Sequence, residues 1–133
     1  WSLDILEKLA HACPEQIEII IAGLPMVSID VPELAKKYKN IEFRGTYRSP
    51  QDLPSLYGQV DMVWACYPPI EENDWNLRWA RPNRFYESCF FKKPLFTRAG
   101  CQDAIDVEGY DIGCIINDTD PDKVVNLINK IKF

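Results

Sequence analysis

The sequence is short of positive charge, histidine and long apolar runs, and each shortage argues against a class of function. Its formal net charge is −5 at pH 7. Proteins that hold nucleic acid through its phosphates need a basic face, so we expect no nucleic-acid partner. The longest apolar stretch, residues 17–25, is interrupted by Glu18 and is too short for a membrane-spanning helix, so no transmembrane segment is predicted.

Closely spaced cysteine pairs and histidine partners for a metal are also missing. No Cys-x-x-Cys pair occurs, and the only histidine is His11. Zinc sites and disulfide frameworks need such groupings, so we expect no metal and reduced thiols in a cytoplasmic protein. Three of the cysteines lie in apolar stretches and are predicted to pack in the core: Cys66, Cys89 and Cys114.

What the chain does contain is typical of one globular domain. It has 133 residues, of which 47% are hydrophobic and 26% charged. The first residues carry no basic region and no cleavage signal for secretion. Trp1 is not a natural start residue, so we expect the chain to be a fragment of a longer protein.

Apolar runs alternate with amphipathic stretches along the whole chain. Helices are expected at residues 3–12, 31–38, 49–57 and 82–91, near 102–107, and from 120 onward. Strands are expected at residues 17–22, 41–44, 61–66, 94–97 and 112–116. This alternation predicts an α/β fold: a Rossmann-like open parallel sheet with helices on both faces. Doubly wound domains open on a strand, so the opening helix indicates a first strand upstream.

Ligands of open parallel sheets bind beyond the carboxyl ends of the strands. The loops expected there are residues 23–28, 45–49 and 67–81. The third is unusually long for a loop without a function. Its side chains suit ligand recognition: Tyr67, Trp75, Asn76, Arg78, Trp79 and Arg81. The alternative is a surface flap whose aromatic side chains cover a core edge or another domain, and the pattern leaves both open.

A helix that begins near Pro82 carries the most specific group of polar residues. Pro82 suits a first helical position, and Asn83 and Glu87 share one face because they are four residues apart. A helix N-terminus offers free N–H groups to phosphate, Arg84 adds charge, and Glu87 can accept hydrogen bonds from ribose hydroxyls. Taken singly, Glu87 is better explained as a solvated or capping carboxylate and Arg84 as a surface ion pair, and it is their combination that favours a binding site.

These residues carry a family resemblance. The stretch NLRWARPNRFYE (residues 76–87), with residues 93–96 (KPLF) after it, resembles the core signature of the retaining-type group 1 glycosyltransferases, which have the two-domain GT-B fold. That signature runs Pro-x-Lys/Arg-x-x-Glu and is followed by a Gly/Lys-Pro pair that opens a strand. Residues 43–45, 53–57, 60–63 and 113–116 are similar to the flanking family motifs, in the same order.

The resemblance implies that residues 1–133 are a single nucleotide-sugar-binding domain, half of a GT-B fold without its N-terminal acceptor-binding domain. The whole enzyme would transfer sugar from a nucleoside-diphosphate sugar to an acceptor, with no covalent cofactor. It would act in the cytoplasm, and peripheral association with the inner face of the membrane is compatible with this. The isolated fragment is expected to be inactive.

The resemblance also implies roles for individual residues. Glu87 would bind the donor ribose, and the helix start (Pro82, Asn83, Arg84) would line the diphosphate and sugar. The nucleobase would meet residues Gly45, Thr46 and Tyr47, and Gly23 would open a phosphate-binding turn. Asn76 leads the signature, and Trp79 stands where many members have a second glutamate. An aromatic residue at that position is found in a subgroup associated with surface-polysaccharide synthesis.

Two other functions are compatible with the pattern. A sugar-nucleotide epimerase uses a similar two-domain fold but needs acid–base carboxylates and histidines in its cleft. A non-catalytic α/β interaction module would dock a partner through the Trp75/Trp79 loop, with an exposed apolar patch and no nucleotide affinity.

Overall fold

The computed structural model describes residues 2–24, 30–67, 75–117 and 120–128. Within those ranges strands and helices alternate as the sequence predicts. The strands are β1 (Ile19–Ala22), β2 (Ile41–Gly45), β3 (Val63–Trp64), β4 (Leu95–Arg98) and β5 (Gly113–Ile116). The helices are α1 (Ser2–Ala12), α2 (Val31–Lys37), α3 (Leu53–Gly58), α4 (Trp75–Trp79), α5 (Asn83–Phe91), α6 (Gln102–Tyr110) and α7 (Pro121–Ile128).

The strands form two open sheets, and every pairing in them is parallel. One sheet contains β1 and β2, and the other has the order β3-β4-β5. Ile19 lies opposite Ile41 in the first sheet, and Leu95 is flanked by Val63 and Gly113 in the second. Parallel strands joined by helices confirm the predicted α/β fold of the Rossmann-like open type.

Helices cover both faces of the sheets. Neighbouring residues of a strand point to opposite sides, and the apolar side chains on each side pack against different helices. On one face Leu95 belongs to an apolar cluster with residues of α3, α5 and α6, namely Leu53, Tyr57, Phe85 and Val107. On the other face Phe96 belongs to a cluster with residues of α1, α2 and α7, namely Ile5, Leu9, Leu34 and Val124. The second cluster also includes Ile19 and Ile41, so one apolar layer runs beneath both sheets.

Several predicted helix boundaries are wrong. The 67–81 connection contains a short helix, α4, and the predicted turn near 102–107 extends as α6 to Tyr110. α3 begins at Leu53 rather than at residue 49, because Arg48 and Asp52 close a turn before it: the Arg48 backbone N–H donates to Asp52 Oδ2 at 2.8 Å. Pro82 precedes α5 instead of occupying its first position, since its backbone is extended (φ −73°, ψ 156°).

The cysteine prediction is partly corrected. All five thiols are free. Cys66 is buried and Cys114 is half-buried, but Cys89 is exposed on α5 rather than packed in the core. The apolar stretch around Cys89 contains Phe90 as well, which is 79% exposed, so the outer side of this helix carries apolar groups that the sequence pattern assigned to the interior. No helix in the described ranges is long and apolar enough to cross a membrane.

Candidate functional site

A cleft of about 510 Å³ lies between β1 and β3 and reaches the carboxyl ends of the strands. The residues that follow β1, β2 and β3 in the chain contribute Gly23, Tyr47 and Tyr67 to its lining. α5 contributes Arg84 and Glu87. The cleft therefore occupies the place where open parallel sheets bind ligands.

Five side chains or turns that the sequence assigned to ligand binding line this cleft: Gly23, Tyr47, Tyr67, Arg84 and Glu87. Gly45 lies beside them, because the Gly23 N–H donates to the Gly45 carbonyl at 2.7 Å. The other predicted residues are not part of the described lining: Thr46 and Asn83 are exposed, Pro82 is half-buried, and Asn76 and Trp79 lie on α4 with exposed side chains. Asn76 and Trp79 thus lie outside the described lining of the cleft, and their role in the site stays a prediction.

The turns after β1 and β2 require glycine. Gly23 has φ 119° and Gly45 has φ 64°, backbone conformations that residues with a Cβ rarely adopt. A Cβ at Gly23 would lie 3.9 Å from the Tyr47 ring. The two turns and the Tyr47 ring therefore form one rim of the cleft, with the ring 40% exposed and accessible to a ligand.

Glu87 is held in place by Tyr57, a residue the sequence did not indicate for the site. The Tyr57 hydroxyl donates to Glu87 Oε2 at 2.6 Å, and its ring stacks on Phe91 with centroids 4.7 Å apart. Burial, together with the hydrogen bond to the Glu87 carboxylate, raises the pKa of Tyr57 above its ordinary value. Tyr57 therefore remains a neutral donor at physiological pH and fixes the carboxylate in one orientation.

Arg84 is the basic side chain in the described lining of the cleft, and its partner is Tyr67, which the sequence placed among the ligand-recognising side chains of the 67–81 loop. Its Nη2 donates to the Tyr67 hydroxyl at 3.0 Å, and its guanidinium carbon lies 5.7 Å from the centre of the Tyr67 ring. Arg84 and Glu87 are three residues apart, so they project from one side of α5. Opposite charges are thus presented side by side at the mouth of the cleft.

The first turn of α5 adds backbone donors to this charge pair. Pro82 provides no side-chain cap, and the Phe85 N–H donates to the Pro82 carbonyl at 3.0 Å. The N–H groups at the very start of a helix have no partner within the helix and carry partial positive charge. The start of α5 can therefore bind an anion next to Arg84.

Arg81, which the sequence grouped with the ligand-recognising side chains, serves the interior instead. Its Nε donates to Asp103 Oδ1 at 2.9 Å, and its Nη2 bonds Asp106 Oδ2. The guanidinium carbon of Arg81 lies 4.1 Å from the centre of the Phe85 ring. Burial raises the pKa of Asp103, and Arg81 opposes that shift. Arg81 thus ties the start of α5 to α6.

The described lining of the cleft offers few side chains for acid–base catalysis. Glu87 is the carboxylate in its described lining, and no histidine is found there. His11 is exposed on α1, where its ring packs edge-to-face with Tyr38 and the two ring centroids are 6.3 Å apart. The described part of the chain has no group of three or more His, Cys, Asp or Glu side chains that could hold a metal ion. The arrangement suits recognition of an anion and a polyol better than acid–base catalysis.

Sequence comparison gives one informative result. No protein-family model matches the chain. Over 132 residues the chain is 26% identical to the succinoglycan biosynthesis protein ExoL of Rhizobium meliloti (strain 1021). The similarity covers 98% of this chain but 32% of that protein, so the chain spans about a third of its relative's length.

Proposed function

We propose that this domain binds the nucleoside-diphosphate sugar donor of a glycosyltransferase that acts in polysaccharide assembly. The observation that carries the proposal is the placement of Glu87 and Arg84 on one side of α5, at its N-terminal turns, within a cleft at the carboxyl ends of the strands. Similarity to a protein of succinoglycan biosynthesis supports the polysaccharide context, because succinoglycan is itself a polysaccharide.

Each part of such a donor has a matching group. Glu87 would accept hydrogen bonds from the two vicinal ribose hydroxyls, with Tyr57 holding the carboxylate in position. The diphosphate would lie at the start of α5 against Arg84. The nucleobase would meet Gly45 and the exposed Tyr47 ring, and the Gly23 turn would approach the phosphates. The roles that the resemblance implies for Thr46, Pro82, Asn83, Asn76 and Trp79 remain part of this proposal, although these residues lie outside the described lining.

The reaction then uses this domain to stabilise the leaving group. When the bond between the anomeric carbon and the diphosphate oxygen breaks, negative charge grows on the diphosphate. Arg84 and the free N–H groups of α5 would stabilise that charge, and donors that are held in place before the reaction lower such a barrier effectively. We place the acceptor, and any base that takes its proton, on a second domain of a GT-B enzyme in the cytoplasm.

A binding titration tests the proposal. The full-length protein is titrated by calorimetry with UDP, GDP, ADP and CMP, and then with the sugar form of the nucleotide that binds. Replacing Glu87 by alanine removes hydrogen bonds to a charged group, worth about 1.5–3 kcal/mol, so affinity should fall by a factor of roughly 10 to 100. Arg84→Met should weaken binding of the diphosphate much more than binding of the nucleoside alone.

Two variants serve as controls. Glu108 is exposed on α6 and Lys8 is exposed on α1, and neither lies in the described lining of the cleft. Glu108→Ala and Lys8→Met change the net charge as Glu87→Ala and Arg84→Met do, but should leave affinity unchanged. Absence of saturable binding by every nucleotide, or equal weakening by the control variants, would refute a donor site in this cleft.

A second function is favoured by a different observation, the exposed aromatic side chains of α4. Trp75 is 68% exposed and Trp79 is 54% exposed. Large exposed aromatic residues are frequent anchors of protein–protein interfaces. Trp75→Ser together with Trp79→Ser would leave nucleotide binding intact if α4 serves only as a docking surface. An epimerase is not proposed, since the described cleft lining offers one carboxylate and no histidine.

A further inference from the structure

Arg84 and Glu87 carry opposite charges and lie three residues apart on α5, yet they do not bond to each other. Side chains at this spacing are neighbours on a helix surface and attract when their charges are opposite, more weakly when the basic residue comes first. On α2 the same spacing does produce an ion pair, between Glu33 and Lys36. Among the ion pairs in the described part of the chain, none joins Arg84 to Glu87.

Each of the two charges bonds to a tyrosine hydroxyl instead. The Tyr57 hydroxyl donates to Glu87 Oε2 at 2.6 Å, and the Tyr67 hydroxyl accepts from Arg84 Nη2 at 3.0 Å. Tyr57 belongs to α3 and Tyr67 follows β3, so the two charges are held by different elements of the fold. An ion pair near the surface contributes little, and a hydrogen bond to a charged group is strong enough to replace it.

This arrangement leaves both charged groups able to bind a ligand. Tyr57 occupies one oxygen of the Glu87 carboxylate and leaves Oε1 to accept from a ligand hydroxyl. Tyr67 takes a single N–H of Arg84, whereas a guanidinium has five N–H donors in a planar fork. A direct Arg84–Glu87 pair would instead turn these donors and acceptors toward each other. The two hydroxyls therefore keep the site open and its charges separate.

The Tyr67 hydroxyl can also contact a ligand itself. It accepts from Arg84 and so keeps its own proton to donate. An O–H group that accepts from a cation is polarised, which strengthens it as a donor. Tyr67 lines the cleft together with Arg84, so an anion that meets the guanidinium also comes within reach of this hydroxyl.

We propose that Tyr67 is a positioning and binding residue for the diphosphate, a role that rests on the proposed donor site. Its hydroxyl holds Arg84 away from Glu87 and donates its own proton to a phosphate oxygen. The diphosphate is then bound by Arg84, by Tyr67 and by the first N–H groups of α5. Without the hydroxyl, Arg84 turns toward Glu87 and its charge is partly neutralised there.

Inorganic pyrophosphate, titrated into the full-length protein and followed by NMR, tests this. Tyr67→Phe removes the hydroxyl and keeps the ring, so it should weaken pyrophosphate affinity roughly threefold to tenfold, as expected for one net hydrogen bond. Tyr110→Phe is the matched control and should leave the affinity unchanged, because Tyr110 is 75% exposed on α6 and outside the described lining of the cleft.

A double-mutant cycle separates the positioning role from the contact with phosphate. In Glu87→Gln the carboxylate no longer attracts Arg84, so adding Tyr67→Phe should weaken pyrophosphate binding about twofold less than it does in the wild-type background. Equal weakening in the two backgrounds would show that Tyr67 does not keep Arg84 from Glu87, and would overturn the proposal.

Two other results would also overturn it: wild-type protein that does not bind pyrophosphate, and unchanged affinity in Tyr67→Phe. Pyrophosphate has neither base nor ribose, so failure of the donor site gives a different result. Pyrophosphate binding that depends on Tyr67, in a protein that binds no nucleotide, would refute the donor site and support the role of Tyr67 toward a diphosphate.

Discussion

Replacing Arg81 by methionine removes a positive charge from between two carboxylates of α6 and keeps most of the side-chain length. Asp103 is only 2% exposed, and its carboxylate accepts from Arg81 at 2.9 Å. Removing one partner of a buried ion pair leaves an uncompensated charge and costs about 3–5 kcal/mol. Because the Arg81 side chain is 24% exposed, we expect a loss near the lower end, about 3 kcal/mol.

The pH dependence of this loss follows from the Asp103 carboxyl. Burial already raises its pKa above 3.8 in the folded protein, and Arg81 limits that shift. A carboxyl whose pKa is higher in the folded than in the unfolded protein destabilises the fold when it is ionised. That destabilisation is fully present above the folded pKa and is relieved as the pH falls toward the unfolded pKa. Without Arg81 the folded pKa rises further. The deficit of Arg81→Met should therefore be largest near neutral pH and shrink on acidification.

Urea unfolding followed by circular dichroism at several pH values measures both effects. The double variant Arg81→Met with Asp103→Asn removes the uncompensated charge as well, so it should recover part of the stability and lose the pH dependence that the single variant shows. Lys8→Met, which removes an exposed positive charge on α1, is the matched control and should change stability by less than about 0.5 kcal/mol. A loss below about 1 kcal/mol for Arg81→Met, or one independent of pH, would refute the assignment of Arg81 as a structural tie.

Three further predictions concern Tyr57 and Gly113. Tyr57→Phe removes the donor that orients Glu87 and should weaken nucleotide affinity roughly fivefold, about 1 kcal/mol, whereas Tyr86→Phe at an exposed position of α5 should not. Because the pKa of Tyr57 is raised above 10.0 in the fold, the free energy of unfolding should fall as the pH rises beyond 10.0, and it should fall less steeply in Tyr57→Phe. An equally steep fall in both proteins would contradict this. Gly113→Ala would place a Cβ 2.0 Å from the Leu95 carbonyl oxygen and should cost about 3 kcal/mol or more in urea unfolding, while Gly109→Ala, with nothing within 4 Å, should cost none.

The architecture was predictable because buried parallel strands and their covering helices have distinct local patterns. The run at residues 17–22 is almost wholly apolar, as a strand covered on both faces must be, and β1 forms within it. Likewise α5 has a buried side and ends at Phe91, with Lys92 as its C-cap, where the sequence predicted the end. These features depend on neighbouring residues, so the sequence alone carries them.

Contacts between distant residues were not predictable in the same way. Tyr57 and Glu87 are thirty positions apart, and nothing local marks Tyr57 as more than a core residue. Arg81 lies within the stretch that carries the family resemblance, yet it pairs with Asp103 and Asp106 of α6, and only the packing of distant segments decides that pairing. The part of the 67–81 connection at residues 68–74 lies outside the described residues, so the sequence predictions made for it stay predictions.

The most direct test of the donor-site account is a crystal structure of the full-length protein with the nucleoside diphosphate that binds it in solution. The account predicts that both ribose hydroxyls lie within hydrogen-bond distance of Glu87, that the phosphates meet Arg84 and the first N–H groups of α5, and that the base lies against Tyr47. A nucleotide bound elsewhere, with Glu87 still bonded to Tyr57 alone and the cleft unchanged, would contradict it.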